Sequence, residues 1–473
     1  MTARLLLANA LELCVGIGIA SILRAPLGTS YLLGLGTVGI VSAHLALVHV
    51  GFGWVALVVV AVVSIGSAAA AGRYPFTTVT ARQLLPTRNS YRSATVINRR
   101  LLPSRNSFRS ATVKTWQLLS SGNSYRRVSI WSVAGVAALV ALLVRAWPTF
   151  AAKPLDDYDA WAMWGMKAKA LMLLGWADPD LFAAKAAAPL HLDYPLLVPS
   201  LDAVAARAMG GFDPRLVHLQ FLLVGIAGIG ALHALLRDRV PAQLLWPGLV
   251  ALAAAPGLTG QLLTAYADIP LALFVAAGVL AAARWVDDRS PWTLALATAF
   301  FAAGALSKNE GTIFAGAALV ALAVATHRVR PLLLAAVAIE AALLPWQIWT
   351  KLHDVHSDTL VGANAIDVRH PGVFPAAFRT LVEYALSLHA WPFLLPLFLA
   401  AVVAAAGTRL ALFAWAWALV ALFGLTWIYV VSPLEYSNYL AFSGDRVIDS
   451  LLVGAAALTP LLLAEAASRI GRP

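Results

Sequence analysis

The chain has 473 residues, of which 60% are hydrophobic and 12% are charged, and its formal net charge is +11 at pH 7. Apolar runs of membrane-spanning length recur from end to end, which no soluble core of this size requires, so the composition predicts an all-α, polytopic membrane protein. The positive charge is concentrated in one segment, as described below, and we interpret it as a determinant of membrane topology and not as a nucleic-acid site.

The N-terminal segment, residues 1–72, is predicted to form three transmembrane helices, near 5–22, 30–48 and 52–71. Cys14 is the single cysteine, so the chain forms no intramolecular disulfide and no cysteine metal cluster. Only Arg4 precedes the first run, and small residues near Ala20 resemble a signal-peptide cleavage site. A signal peptide is therefore the alternative to a first spanning helix.

A basic loop is predicted for residues 73–128. Eleven of the 34 Lys and Arg residues lie between Arg73 and Arg127, so the other 23 equal the 23 acidic residues in number. Such loops remain on the cytoplasmic side, which sets the orientation of the chain. Within the loop a 17-residue repeat begins near 84, 101 and 118. It predicts a tether that contacts membrane lipid, and a duplication without function is the alternative.

Residues 129–473 are predicted to contain ten further spans, which brings the total to about thirteen. These apolar runs lie near 129–147, 215–236, 243–262, 265–286, 292–307, 311–327, 331–351, 385–406, 409–431 and 447–467. With the basic loop inside, the alternation of spans places three longer stretches outside the membrane, at 148–214, 353–384 and 432–446.

The first outer stretch, 148–214, contains three carboxylates directly after the fourth span, at Asp156, Asp157 and Asp159. A carboxylate at the membrane surface can accept a proton from an acceptor hydroxyl. An apolar stripe of helical spacing follows and leaves two lysines beside it; the stripe is Trp161, Trp164, Ala168 and Leu171, and the lysines are Lys167 and Lys169. This pattern predicts a helix lying in the interface. The alternative is that the tryptophans only anchor this segment at the membrane surface and that the aspartates are solvated.

Four further positions carry ionisable groups at or near the predicted outer ends of spans. His191 and Asp193 precede Pro195 and are candidate substrate contacts, although Asp193 is equally suited to cap the helix that follows. The other candidates are Asp268 at the start of a span, Lys308 and Glu310 between two spans, and Arg446 before the last span.

Charges this close to the bilayer are costly and indicate function by default. Lys308 and Arg446 are suited to hold a lipid phosphate. The alternative for Lys308 is that its chain only extends its ammonium group to the membrane surface. The alternative for Arg446 is that its charge only sets the membrane topology.

Metal and nucleotide chemistry receive little support. His353, Asp354, His356 and Asp358 alternate on a polar loop, but such spacing is weak evidence for a metal, so no metal site is predicted. The chain also lacks a Walker loop, a dinucleotide fingerprint and a nucleophile elbow. No cofactor is predicted.

The chain resembles the GT-C superfamily of membrane glycosyltransferases in the order of four motifs. These are an acidic motif in a long outer loop, a Pro-led helix, an Asp-Ile-Pro sequence at the start of a span and a Lys-Asn-Glu-Gly turn. The resemblance covers about residues 148–330. It is closest to polyprenyl-phosphate-sugar-dependent enzymes of the protein mannosyltransferase type, in a bacterial branch that carries Tyr158-Asp159-Ala160-Trp161-Ala162 and Asp193-Tyr194-Pro195-Leu196-Leu197.

The resemblance implies that residues 129–473 form a GT-C-like catalytic domain with its catalytic loop at 148–214. Asp159, with Asp157 next, would match the general base. Lys308 and Arg446 would match groups that hold the carrier phosphate. In the family the acidic loop usually follows the first span, whereas here it follows the fourth, which leaves the N-terminal helices and the basic loop without an assigned role.

The expected function is transfer of a sugar from a polyprenyl-phosphate donor to a lipid, glycan or protein acceptor, with inversion at the anomeric carbon. It would occur on the extracytoplasmic face of a bacterial inner membrane. A transporter or flippase of lipid-linked sugars is the alternative from another class, and a non-catalytic membrane scaffold is the third.

Overall fold

The computed structural model describes residues 1–71, 129–184, 191–355 and 367–470. The predicted basic loop with its repeats, and also His356 and Asp358, lie outside the described residues. Within the described ranges the chain is helical and contains no β-strand, which confirms the all-α class.

Nineteen α-helices are described, together with one π-helix and two short 3-10 helices. The first ten are α1 Thr2–Ile22, α2 Ser30–Leu47, α3 Trp54–Ala70, α4 Ile130–Ala152, α5 Met166–Leu174, α6 Pro179–Phe182, α7 Leu197–Met209, α8 Pro214–Leu236, α9 Ala242–Ala254 and α10 Pro256–Thr264. The others are α11 Asp268–Asp288, α12 Pro291–Ser307, α13 Glu310–Thr326, α14 Arg330–Leu352, α15 Phe374–Ala385, α16 Leu394–Ala404, α17 Arg409–Val431, α18 Tyr436–Val447 and α19 Asp449–Ile470.

Long apolar helices confirm a helical membrane protein. Eight helical segments of the described chain are long and apolar enough to cross a membrane. Helices α9 and α10 qualify together as a ninth, although they meet at an angle of 48°. The bend has a covalent cause, because Pro256 opens α10 and forces Ala255 before it into an extended conformation. Four further apolar helices are shorter, namely α3, α12, α13 and α16.

Helix α11 lies at the centre of the bundle. It packs against α8, α12, α13 and α19. Of the residues in an apolar 18-residue stretch of this helix, 94% are buried. A helix that is apolar on every side is suited to this position. In contrast, only 6% of the corresponding stretch of α4 is buried, so that helix presents its apolar surface to the surroundings of the bundle.

The three N-terminal helices belong to the same hydrophobic core as the rest of the chain. Helix α1 packs against α2, α3 and α7, and α2 packs against α7, α8 and α12. Two boundaries differ from the prediction. The stretch 432–446, expected to be a loop, contains most of α18, and the run predicted at 385–406 becomes helical as α16 only from Leu394.

Candidate functional site

A polar cavity of about 380 Å³ lies at one end of the bundle, where the ends of several helices meet. Six of the eight predicted site residues line it, namely Asp159, His191, Asp268, Lys308, Glu310 and Arg446. Asp157 and Asp193 are not among its lining residues. The cavity therefore gathers groups that are up to 287 residues apart in the chain.

Asp159 is the first residue of the π-helix Asp159–Gly165, and its carboxylate points to Arg446. Arg446 Nη1 donates to Asp159 Oδ2 over 2.7 Å, and both side chains are about one-fifth exposed. The wide turn of the π-helix depends on Gly165, because a Cβ there would lie 2.8 Å from the carbonyl oxygen of Ala160. π-Helical turns are rare and occur often at functional sites.

Arg446 also contacts an aromatic ring. Its guanidinium lies 4.8 Å from the ring centroid of Tyr266, and its Nη2 donates to the carbonyl of Phe442 over 3.1 Å. Burial, reinforced by the negative charge of Asp159, raises the pKa of Tyr266 to about 12. This phenol is therefore protonated at neutral pH and keeps an O–H that can donate.

Lys308 is the second cation of the cavity, and it is buried between two acids. Its Nζ lies 2.8 Å from Asp268 Oδ1 and 3.1 Å from Glu310 Oε1. Burial acts to lower the pKa of Lys308, but the charges of Asp268 and Glu310 outweigh burial and raise it above the ordinary value. The ammonium group is therefore charged throughout the physiological pH range.

Asp193 and His191 lie on the connection that leads into α7. His191 lines the cavity with a left-handed backbone, φ 47°, which is uncommon outside glycine. The Asp193 carboxylate accepts from Asn309 Nδ2 over 3.3 Å, and its carbonyl accepts from Trp346 Nε1 over 2.9 Å. The N-cap residue of α7 is Leu196, without a side-chain cap, so Asp193 does not have the capping role considered above.

Asp157 lies apart from the cavity lining and is bound by a different cation. Lys153 Nζ lies 2.6 Å from Asp157 Oδ2 and 3.1 Å from Asp156 Oδ1. The same ammonium donates to the carbonyl of Leu263 over 3.0 Å. These bonds attach the end of α4 to the end of α10, which favours a structural role for Asp157.

Lys167 differs from its prediction as a lysine beside the apolar stripe, because it is completely buried. Its Nζ donates to the carbonyl of His191 over 2.8 Å and to that of Tyr194 over 3.4 Å. The rings of Trp164 and Tyr194, which stack on each other, lie 5.5 and 5.8 Å from it. Burial lowers the pKa of Lys167 to about 7, although the charge of Asp193 opposes the shift.

The lowered pKa of Lys167 predicts a specific pH dependence of stability. The unfolded lysine binds its proton up to about pH 10.4, whereas the folded one releases it near pH 7. Between these values the unfolded state binds more protons, so stability rises with pH. We expect Lys167→Met to remove this rise, measured by thermal unfolding of both proteins between about pH 7 and 10. Equal slopes for wild type and variant would contradict the assignment.

Much of the cavity wall consists of residues that were not predicted from the sequence. Helix α18 and the residues before it supply Leu434, Glu435, Asn438, Tyr439, Phe442 and Ser443. Glu435 caps α18 by accepting from the backbone N–H groups of Ser437 and Asn438 over 3.2 and 3.0 Å. An acidic residue directly before a polar helical turn is a sequence signal for the start of a helix, so this cap could have been predicted.

Acidic groups outnumber cations among the residues that line the cavity. Four carboxylates, of Asp159, Asp268, Glu310 and Glu435, face two cations, Lys308 and Arg446. Within the described part of the chain, no group of three His, Cys, Asp or Glu residues is arranged to hold a metal ion. The reactive groups that line the cavity are two cations, four carboxylates and the hydroxyls of tyrosine and serine.

Comparison of the chain with protein-family models, curated proteins and solved structures gives no match.

Proposed function

We propose that this protein is a membrane glycosyltransferase of GT-C type that moves a sugar from a polyprenyl-phosphate donor to a lipid, glycan or protein acceptor. One observation carries the proposal. Asp159, Lys308 and Arg446, which are far apart in sequence, line one polar cavity at the end of an apolar bundle. A lipid phosphate, a sugar and an acceptor hydroxyl together need a cationic clamp, polar walls and a base.

The proposal includes a topology of thirteen spans. It counts the eight long segments, the bent pair α9 and α10, and the four shorter apolar helices. With the basic loop in the cytoplasm, the cavity faces the extracytoplasmic side of a bacterial inner membrane. The opposite helix ends carry Arg237, Arg289, Arg409 and Arg469, which agrees with the preference of arginine for the cytoplasmic side.

Donor binding begins with an exchange of partners at Arg446. A phosphodiester brings one negative charge, and a guanidinium can bind phosphate in the two-pronged manner in which it binds carboxylate. Arg446 turns from Asp159 to the phosphate, while Lys308, which Asp268 and Glu310 hold in place, supplies a further charged N–H donor. The exchange leaves the Asp159 carboxylate unpaired and ready to accept a proton.

The chemical step is a single displacement. Asp159 takes the proton of the acceptor hydroxyl, and the acceptor oxygen forms a bond to the anomeric carbon. The bond between that carbon and the phosphate oxygen breaks, and polyprenyl phosphate leaves with the electron pair. His191 lines the cavity and is positioned for sugar hydroxyls, while Asp193 supports the connection from which it projects.

Inversion of the anomeric configuration is the expected outcome of this step, because the acceptor attacks from the face opposite the phosphate. No carboxylate nucleophile and no covalent sugar–enzyme intermediate is needed. The configuration of the purified product, compared with that of the donor by proton NMR coupling constants, checks the prediction. A retained configuration would exclude a single displacement.

The experiment that tests the proposal supplies purified protein with a labelled pool of polyprenyl-phosphate sugars and membrane-derived acceptors. We expect the label to move from the polyprenyl-phosphate donor to a product that chromatography separates from the donor. Liposomes that contain the same protein and labelled donor test the alternative, a transporter or flippase. Movement of intact donor between leaflets without transfer would favour that alternative.

One structural observation favours the transporter alternative. Glu12 lies near the middle of α1 and is completely buried, and Asp202 of α7 is also buried. A buried acid in the middle of a span, such as Glu12, is typical of transporters. A flippase would also use Lys308 and Arg446 to hold the lipid phosphate, but it has no use for the base proposed at Asp159, so we retain transfer as the primary proposal.

A further inference from the structure

An open groove of about 660 Å³ lies between α16 and α17, away from the large cavity. It is located at the N-terminal end of α17, whereas the C-terminal end of that helix leads to Leu434 in the wall of the large cavity. Ligand sites in proteins are commonly clefts of about 300–1,000 Å³ with mainly apolar walls. The wall of this groove is mostly apolar and includes Leu399, Val402, Val403, Leu412 and Trp415. The proposed transfer reaction does not use it.

The groove exists because its two helices pack against different partners. Helix α16 packs mainly against α19, whereas α17 packs mainly against α13 and makes few contacts with α16. The short turn 405–408 joins the two helices and closes one end of the groove, with Gly407 in a left-handed conformation, φ 82°. The wall faces the surroundings of the bundle, since Val403 is 74% and Trp415 43% exposed. In a membrane, the groove is therefore open to lipid.

Two arginines flank the turn at the end of the groove. Arg409 lines the groove, and its side chain has no hydrogen-bond or ion-pair partner among the described residues. Arg469, near the end of α19, donates from Nη1 to the carbonyl of Ala406, which also lines the groove. A Cβ placed on Gly407 would lie 3.8 Å from both Nη atoms of Arg469. Cations from two different helices are therefore held at one end of an apolar surface.

The positive charge extends to neighbouring helices. Helices α11, α13 and α17 pack against one another, and an arginine lies at or just beyond the end of each on this side, namely Arg289, Arg328 and Arg409. Burial lowers the pKa of the Arg289 guanidinium, and the charges of Arg409 and Arg328 lower it further. The acids near Arg289 are bound by other arginines, in the ion pairs Asp287–Arg239 and Asp288–Arg284. An anion that binds here would therefore reduce the repulsion between arginines.

We infer that the groove binds one anionic phospholipid, with an acyl chain against the apolar wall and the phosphate at Arg409 and Arg469. A guanidinium can bind phosphate through two N–H donors at once. Basic pockets between transmembrane helices on the cytoplasmic side bind the headgroups of anionic lipids, and the proposed topology places the groove on that side. The inference does not depend on the proposed transferase activity.

The apolar wall favours a lipid over an acidic protein as the occupant. An acidic segment of a partner protein would pair with the arginines, but it would have to place its polar backbone against Val403, Leu412 and Trp415 at membrane depth. A phospholipid matches both parts of the groove, because its phosphate is anionic and its chains are apolar. A bound lipid would also connect α16 to α17, which make few contacts of their own.

The test measures lipid binding by native mass spectrometry of the full chain in detergent, titrated with phosphatidylglycerol or with phosphatidylcholine of the same acyl chains. We expect one phosphatidylglycerol per chain to bind at least about tenfold more tightly than phosphatidylcholine. Arg409→Gln and Arg469→Gln should each weaken phosphatidylglycerol binding about fivefold. The comparison of the two lipids on the wild type does not depend on the folding of any variant.

Arg237→Gln is the matched control. It removes an exposed arginine at the same end of the bundle, which is paired with Asp238 and does not line the groove. Leu412→Trp keeps both arginines but fills the groove, and it should lose most of the phosphatidylglycerol binding. Leu412 is 44% exposed, so the fold has room for the larger ring. The inference is overturned if the two lipids bind alike, if Arg237→Gln weakens binding as much as Arg409→Gln, or if Leu412→Trp binds like the wild type.

Discussion

Asp159→Asn is expected to reduce the rate of sugar transfer by at least about 100-fold, because general-base catalysis contributes about 100- to 10,000-fold. The amide preserves the size of the side chain and can still accept a hydrogen bond from Arg446, which lies 2.7 Å from the carboxylate. It cannot take the acceptor proton. Initial rates with labelled donor, measured beside thermal unfolding, separate loss of catalysis from loss of structure.

Asp157→Asn is the matched control for this variant. It makes the same chemical change two residues away, on a carboxylate that binds Lys153 and does not line the cavity. That ion pair is partly exposed, and such pairs contribute only about 0–1 kcal/mol. We expect transfer within about threefold of the wild type. A similar loss in both variants, or in neither, would remove Asp159 from the role of base.

Hydropathy and charge predict much of the architecture, because both depend on local sequence. Asp268 begins a helix, and Lys308 and Asn309 separate two helices, as the sequence indicates. The contact between Asp159 and Arg446 cannot be predicted in this way. It depends on how α11, α18 and α19 pack, and no local pattern encodes a contact across 287 residues.

Single residues have little effect on hydropathy averaged over neighbouring residues, so their burial is not predicted by it. Glu12 is a single acid within the 21 residues of α1, so it barely changes the mean hydropathy of the span. Helical spacing places Lys167 beside the apolar stripe, and lysine is seldom fully buried. Its burial depends on two carbonyl acceptors on the connection to α7, at His191 and Tyr194, which only the folded chain brings within reach.

Lys308→Met is expected to have the largest effect on the fold, a loss of about 3–5 kcal/mol of stability, because removal of one partner leaves buried charges uncompensated. The side chains of Lys308, Asp268 and Glu310 are each no more than 7% exposed, so water cannot replace the lost cation without rearrangement. Thermal unfolding in lipid nanodiscs measures the loss. Transfer should also cease, since one of the two cations proposed to hold the phosphate is gone.

The double variant Asp268→Asn/Lys308→Met separates these two effects. The wild type has two carboxylates and one ammonium in this cluster, with a formal charge of −1. The single variant changes that charge to −2, whereas the double variant, which keeps only Glu310, restores it. We therefore expect the double variant to recover most of the lost stability and none of the transfer. Recovery of both would show that Lys308 serves the fold alone, and Arg446 would then be the remaining candidate for the phosphate.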